Sequence, residues 1–161
     1  MKKINIKKGF TLIELLVVVA IIAILASVVL VSMSGANSKG GDAAVKSNLN
    51  TVRGVSEIFA SNNNLSFLPS GGSVFNIATC PAYSASGTNM FAKDKGINDA
   101  IAEAVKRGGN GSSCYNSSNT WSVAVGLKTS SSTSWCVDSA GASRKVNSVP
   151  GSAINVSGLC N

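Results

Sequence analysis

The amino-acid sequence predicts an α+β fold in which a long N-terminal α-helix, apolar in its first half and amphipathic in its second, packs on a small antiparallel β-sheet. An almost unbroken apolar run covers residues 15–31, with only Ser27 interrupting it. Apolar side chains then recur with a helical period over residues 42–61. From Trp121 onward apolar and polar residues alternate, which is the period of a half-buried strand. Within 161 residues, these patterns favour one small domain with an N-terminal helical extension.

The composition argues against most enzymatic chemistry. Only 13% of the residues are charged, seven residues are acidic, and there is no histidine. Metal sites built on imidazole are therefore excluded, and neither a metal nor a cofactor is expected. The net charge of +7 is concentrated at the start, where four lysines precede Gly9. Without them the chain has ten basic and seven acidic residues, so a nucleic-acid partner remains possible but is not supported by the basic composition.

The N-terminus has the pattern of a membrane-targeting segment, because a basic head is followed by the apolar run. One interpretation is a secretory signal peptide that is cut near the small residues 32–36. Another is a signal anchor, since residues 10–31 reach across a bilayer core at about 1.5 Å per residue. Neither interpretation explains why the acidic residue Glu14 lies in the apolar segment. A carboxylate costs about 2.5–3.5 kcal/mol at the centre of a bilayer and marks a functional position.

Residues 7–22 favour a third interpretation. Their sequence is Lys-Lys-Gly-Phe-Thr-Leu-Ile-Glu-Leu-Leu-Val-Val-Val-Ala-Ile-Ile, and it resembles the class III signal of type IV prepilins and type II secretion pseudopilins. In that family a short basic leader ends at a glycine, and a glutamate is the fifth residue of the processed chain. The resemblance implies a pilin-like fold, cleavage by a prepilin peptidase between Gly9 and Phe10, methylation of the new amino group of Phe10, and retention of the apolar helix.

Glu14 lies one helical turn after Phe10, the residue that would carry the new ammonium group. It could pair with its own N-terminus, because a carboxylate in the first turn favours the positive end of the helix dipole. The resemblance implies instead a role in assembly, in which Glu14 pairs with the N-terminus of a neighbouring subunit. Many pilins have a proline soon after the apolar run fades, and this chain has none there. Flexibility is expected instead at three glycines, Gly35, Gly40 and Gly41.

The chain is expected to consist of four segments. A basic leader, residues 1–9, is removed by processing, and residues 10–34 form a hydrophobic transmembrane and filament-core helix. Residues 35–61 continue as an amphipathic helix into a globular head, residues 62–161. The apolar stripe of the amphipathic part consists of Val45, Leu49, Val52, Ser56 and Phe59.

The first part of the head is expected to hold a second helix. Residues 65–90 are rich in Pro, Gly, Ser and Thr and are mainly loop, with a short strand at 74–78. Apolar residues then share one face over 97–107, and the Gly108-Gly109 pair ends this helix.

The second part of the head is expected to be an antiparallel meander. Serine-rich and glycine-containing turns separate three candidate strands, at 121–128, 134–138 and 143–146. Trp121 and Trp135 are expected to face each other across the first hairpin, as core packing.

The four cysteines, Cys80, Cys114, Cys136 and Cys160, all lie in the polar head, and none has the spacing of a zinc or thioredoxin-like motif. In an exported domain with a thin core, an even number of cysteines predicts two disulfides. Three connectivities are open. The pairs Cys80–Cys114 and Cys136–Cys160 are favoured because they close the shorter loops, and because a bridge near the C-terminus resembles one that bounds a surface loop in many pilins.

The leading functional hypothesis is a structural subunit that polymerises through its apolar helix into a type IV pilus-like extracellular filament. Its implied partners are other copies of the chain, the prepilin peptidase, the inner-membrane assembly machinery and, before assembly, the cytoplasmic membrane. The alternative is a pseudopilin of a type II secretion or DNA-uptake system. Major secretion pseudopilins often hold calcium in an acidic C-terminal loop, whereas Asp138 is the only acidic residue from Lys128 onward.

A third hypothesis is a membrane-anchored enzyme or binding protein. Without histidine, a cysteine nucleophile would need another activating group. Charged residues of both signs lie on and beside the second helix and predict a solvated face. They are Lys93, Asp94, Lys95, Asp99, Glu103, Lys106 and Arg107. The sequence therefore favours a structural protein that is not an enzyme.

Overall fold

The computed structural model describes residues 9–161, without the side chains of residues 31 and 32. The predicted leader thus lies outside the described residues, except for Gly9. The chain forms two compact units, one that ends at Asn37 and a C-terminal unit, Ser38–Asn161. Both apolar cores and the whole β-sheet belong to the C-terminal unit.

The first element is helix α1, Leu12–Asn62. Gly35, Gly40 and Gly41, the glycines at which flexibility was expected, all have helical backbone within α1. Each glycine lowers the stability of a helix by only about 1 kcal/mol relative to alanine, and no proline interrupts the hydrogen bonds of the segment. The intervening turns therefore remain helical.

The part of α1 within the C-terminal unit buries the predicted apolar stripe. Val45, Leu49, Val52 and Ser56 are fully buried, and Phe59 is 8% exposed. Burial of a valine or leucine side chain contributes about 1.5–3 kcal/mol, so this stripe is a main attachment of the helix to the rest of the unit. The amphipathic period over 42–61 is confirmed.

Seven further elements follow α1 in the chain. They are β1 (Phe75–Ala78), α2 (Met90–Lys93), α3 (Lys95–Gly108), β2 (Ser112–Asn116), β3 (Trp121–Gly126), β4 (Ser134–Asp138) and β5 (Ser143–Val146), and a 3₁₀ turn at Pro150–Ser152 comes after them. The five strands form one antiparallel sheet in chain order, each strand pairing with the next. The predicted α+β arrangement, with a long N-terminal helix and a small antiparallel meander, is confirmed.

Two elements were not predicted, the strand β2 and the short helix α2. The residues of β2 are mostly serine and asparagine, which are typical of loops. They form a strand because β1 and β3 supply hydrogen-bonding partners on both sides. The buried amide of Asn116 also accepts a hydrogen bond from the Met90 backbone N–H at 3.0 Å, which ties the start of α2 to β2.

Helix α3 begins and ends at residues with well-defined caps. The carboxylate of Asp94 accepts a hydrogen bond from the Ile97 N–H at 2.9 Å, as an N-cap does. At the other end Gly109 has a φ of 79°, the left-handed conformation that glycine adopts without steric cost. The predicted helix and its stop at Gly108-Gly109 are confirmed.

The expected contact of Trp121 with Trp135 is wrong. The β3–β4 register places Ser122 opposite Asp138 and Val125 opposite Trp135, so Trp121 lies beyond the last paired position of β4. Trp121 instead packs edge to face against Phe67, with ring centroids 6.3 Å apart. Trp135 lies under the ammonium group of Lys46, 4.6 Å from the ring centroid.

The sheet separates two apolar cores. Side chains alternate between the two faces of a strand, and the larger core lies on the helical face with Val123, Val125 and Val137. Ala124 and Cys136, from alternate positions of the same strands, belong to the smaller core with Ile154 and Cys160. The C-terminal segment therefore covers the face of the sheet that α1 and α3 leave open.

Candidate functional site

The candidate processing junction, Gly9–Phe10, lies just before α1. Neither residue is helical, and the Phe10 side chain is 84% exposed. A Cβ atom placed on Gly9 would meet no atom within 4 Å. This peptide bond is therefore outside regular structure and sterically open, which are the conditions for proteolysis. The lysines assigned to the leader precede Gly9 and lie outside the described residues.

Glu14 and Thr11 form a capping box at the start of α1. The Glu14 Oε2 atom accepts hydrogen bonds from the Thr11 N–H and from the Thr11 hydroxyl, both at 2.9 Å. In return the Thr11 Oγ1 atom accepts a hydrogen bond from the Glu14 N–H at 3.3 Å. Reciprocal bonds of this kind satisfy N–H groups that have no partner within the helix. The uncleaved chain thus caps its own helix with Glu14.

The role of Thr11 was missed in the sequence, although the Thr-x-x-Glu spacing of a capping box was present. Both bonds from Thr11 end on Oε2, and no hydrogen bond within residues 9–161 uses the Glu14 Oε1 atom. A carboxylate has acceptor capacity on both oxygens. Glu14 can therefore cap its own helix and still accept a cation through Oε1.

The apolar half of α1 is uncovered. Leaving aside Val31, whose side chain is not described, the large apolar side chains from Phe10 to Met33 are between 48% and 88% exposed. An 18-residue window of this helix has a mean hydropathy of 3.2, and none of the window is buried, so by length and composition the segment can cross a membrane. Glu14 is the only charged side chain between Gly9 and Ser38. A surface of this kind requires a covering of lipid or protein.

Two disulfides join Cys80 to Cys114 and Cys136 to Cys160. These are the pairs that the sequence analysis favoured. Cys80 and Cys114 lie in or against the larger core, whereas Cys136 and Cys160 lie in the smaller one, so the sheet stands between the two bridges.

Asp138 is the only buried acidic residue of the C-terminal third, with 2% of its surface exposed. Its Oδ1 atom accepts hydrogen bonds from the N–H groups of Ala140 at 3.0 Å and Ala142 at 2.9 Å. Its Oδ2 atom accepts a third from the Cys160 N–H, also at 2.9 Å. Both oxygens are thus engaged by backbone groups.

The charged residues of α3 form a solvated face, as predicted. Asp99 pairs with Lys95, and the hydrogen bond between them raises the pKa of the Lys95 ammonium group. Glu103 pairs with Arg107 and Lys106, and mainly the Arg107 hydrogen bond lowers the pKa of the Glu103 carboxyl group. These pairs lie on the surface rather than in a cavity. Within the described part of the chain, no group of three or more His, Cys, Asp or Glu residues is placed to hold a metal ion.

Two comparisons with known proteins found a match, and the first of them lies on the N-terminal segment. Residues 4–30 match the family model described as the prokaryotic N-terminal methylation motif. The chain is 46% identical over 57 residues to the type IV wide pilus major component PilA4 of Thermus thermophilus. That match covers 35% of this chain and 44% of the relative, so it spans less than half of either protein. No solved structure matches the chain.

Proposed function

We propose that the chain is a structural subunit of the type IV pilin kind that polymerises through the apolar half of α1 into an extracellular, pilus-like filament. The match of residues 4–30 to the N-terminal methylation motif and the similarity to a type IV pilus component support this proposal. The uncovered apolar surface of that helix carries the proposal. A membrane covers this surface before assembly, and the same helices of neighbouring copies cover it afterwards. The family and the relative's name point to a structural subunit rather than an enzyme.

Processing is the first step of the proposed function. A prepilin peptidase of the cytoplasmic membrane cleaves the open bond between Gly9 and Phe10, and the new amino group of Phe10 is methylated. The lysines before Gly9 hold the leader on the cytoplasmic side, as positive residues next to membrane segments do. The C-terminal unit is outside, where its two disulfides form.

Glu14 then contributes to assembly. Cleavage creates an ammonium group at Phe10, and an unpaired charge is costly in the apolar interior of a filament. The Glu14 carboxylate of one copy neutralises the ammonium group of a neighbour through Oε1, while Thr11 holds Oε2. The capping box therefore fixes the carboxylate in position for the second contact.

A pseudopilin of a secretion or DNA-uptake system would share the N-terminal segment, and Asp138 favours the pilin. Calcium prefers six to eight oxygen ligands with several carboxylates among them. Asp138 is the only acidic residue from Lys128 onward, and three backbone N–H groups occupy its oxygens. Its carboxylate is thus used inside the fold.

The test is to shear filaments from the surface of cells that express the chain and to measure the intact mass of their subunit. We expect surface filaments that are absent from the deletion strain, and a subunit that lacks Met1 to Gly9 and carries one added methyl group. A mature terminus near Gly35 or Asn37 would identify an ordinary secretory signal and contradict the proposal. Filaments that persist unchanged in the deletion strain would contradict it as well.

A further inference from the structure

On one face of β4, the side chains of three alternate residues each bind the C-terminal segment of the chain. Ser134, Cys136 and Asp138 alternate along the strand, so their side chains point to the same face of the sheet. The Ser134 hydroxyl donates a hydrogen bond to the Ser148 carbonyl at 2.9 Å. Cys136 forms the disulfide with Cys160, and Asp138 accepts the hydrogen bond from the Cys160 N–H.

Cys160 is fixed by its backbone as well as by its sulfur. Its N–H donates to the buried carboxylate of Asp138 at 2.9 Å, and its carbonyl accepts a hydrogen bond from the Arg144 guanidinium group at 2.6 Å. Arg144 lies directly opposite Cys136 in the β4–β5 register. The N–H and the carbonyl group of Cys160 are thus bound by an acidic and a basic side chain. Such charge-assisted hydrogen bonds are stronger than hydrogen bonds between neutral groups.

We propose that Asp138 and Arg144 are positioning residues that seat Cys160 against Cys136 before the disulfide forms, and so direct the pairing of the cysteines. Closing the bridge consumes two thiols and one oxidant disulfide, such as oxidised glutathione. The thiolate of one cysteine attacks the oxidant disulfide, forms a mixed disulfide with it and releases one glutathione thiol. The thiolate of the second cysteine then attacks the mixed disulfide and releases the second glutathione thiol. The oxidant takes up two electrons and two protons, while Asp138 and Arg144 take part in no bond change.

The other two cysteines are kept out of this reaction by the sheet. Cys114 faces the larger core and Cys80 packs against that core. Asp138 and Arg144, which together form a clamp on Cys160, hold that residue on the opposite face. Among the described residues, the side chains of Asp138 and Arg144 hydrogen-bond to Cys160 and not to Cys80 or Cys114. The Cys80–Cys114 bridge therefore serves as an internal reference for any effect on the whole fold.

The first experiment equilibrates the full chain in detergent with glutathione redox buffers and measures, by alkylation and peptide mass, the equilibrium constant of each bridge. Asp138→Asn turns an acceptor that faces the Cys160 N–H into an amide, and Arg144→Gln removes the guanidinium group. Each change should lower the constant of the Cys136–Cys160 bridge about tenfold or more, and that of Cys80–Cys114 by less than threefold. Lys145→Gln, the neighbouring exposed cation on β5, is the matched control and should leave both constants unchanged.

A second experiment asks whether the clamp acts without the bridge. In the chain with Cys136→Ser and Cys160→Ser, the amide hydrogen at position 160 should exchange at least tenfold more slowly than in an unstructured peptide. Adding Asp138→Asn should remove that protection. Unprotected exchange in the bridge-free chain, or a parallel fall of both equilibrium constants in the first experiment, would overturn the proposal. Arg144 is exposed, so Arg144→Gln is expected to fold. If Asp138→Asn does not fold, the same measurements are made on Arg144→Gln.

Discussion

Glu14 and Asp138 are carboxylates in contrasting surroundings. Glu14 is exposed and its two donors both come from Thr11, whereas Asp138 is buried and its three donors come from a turn and from the C-terminal segment. The sequence singled out Glu14 because a charge interrupts an apolar run, and such a charge is visible without a structure. The role of Asp138 was not predictable, because Ala142 and Cys160 reach it only after β4, β5 and the C-terminal segment have packed together.

The variant Glu14→Ala tests the role of the exposed carboxylate. We expect the variant to be exported, inserted and cleaved normally, and to accumulate as a membrane-bound monomer with few or no filaments. The reason is that the Phe10 ammonium group of each incoming copy would enter an apolar core without its partner. Electron microscopy of the cell surface and intact mass of the membrane fraction measure the two outcomes.

Two further variants control the Glu14 experiment. Glu57→Ala removes an exposed carboxylate from the same helix and should leave filament number unchanged. Glu14→Asp keeps the charge with a shorter reach and should retain part of the assembly. Filaments of normal length and number in Glu14→Ala, with processing intact, would show that Glu14 only caps its own helix.

Leu65 carries backbone strain that a substitution can release. Its φ is 61°, in the left-handed region, and its side chain is 83% exposed. A branched side chain in that conformation costs about 1–2 kcal/mol, which exceeds the entropic cost of glycine there. Leu65→Gly should therefore raise the free energy of unfolding by about 0.5–1 kcal/mol, measured by urea unfolding of the detergent-solubilised chain.

Asn64→Gly is the matched control for Leu65→Gly. Asn64 has a φ of 56°, and asparagine tolerates this region better than leucine does. Its gain in stability should be smaller. A decrease in stability on Leu65→Gly would mean that the exposed side chain makes contacts that outweigh the strain.

Among the helices and strands, the sequence predicted those whose apolar residues recur with a regular period. The stripe from Val45 to Phe59 and the alternation from Trp121 specify α1 and β3, and both elements lie where they were expected. Strand β2 has no such period, because its partners and not its own residues make it a strand. The wrong Trp121–Trp135 contact has a related cause, since register depends on the length and geometry of the β3–β4 turn.

Replacing each of two helical glycines by alanine should change the free energy of unfolding in opposite directions. A Cβ on Gly108, at the end of α3, would lie 2.1 Å from the carbonyl oxygen of Gly126 on β3, so α3 and β3 would have to separate. Gly108→Ala should cost about 1–3 kcal/mol of stability. A Cβ on Gly54 in α1 would meet no atom within 4 Å, and Gly54→Ala should gain up to about 1 kcal/mol.

Thermal and urea unfolding of the two glycine variants in detergent give the comparison. Circular dichroism should show unchanged helix content in Gly54→Ala, because the residue already lies within α1. Equal and small effects at both positions would mean that α3 and β3 can move apart without loss of packing.

In the whole molecule, the residues that stabilise the fold and the apolar residues that are exposed lie in different parts of the chain. Every residue of the two apolar cores lies at or after Val45, and both disulfides lie within the C-terminal unit. The large exposed apolar side chains from Phe10 to Met33 belong to the other unit. Among the residues that the structure describes, the part of the chain that carries the proposed assembly surface thus contributes none to either core.

A chain that begins at Ser38 should therefore fold alone into a soluble monomer with both bridges formed. It keeps the buried stripe of α1, all five strands and the clamp on Cys160, and it lacks the exposed apolar surface that needs lipid or a second copy. Light scattering coupled to size exclusion should give a monomer mass without detergent, and reduction should lower its stability by about 2–4 kcal/mol for each bridge. A chain that begins at Phe10 is the control and should require detergent. Aggregation of the shorter chain, or loss of its near-ultraviolet circular dichroism, would show that the apolar half of α1 also supports the fold.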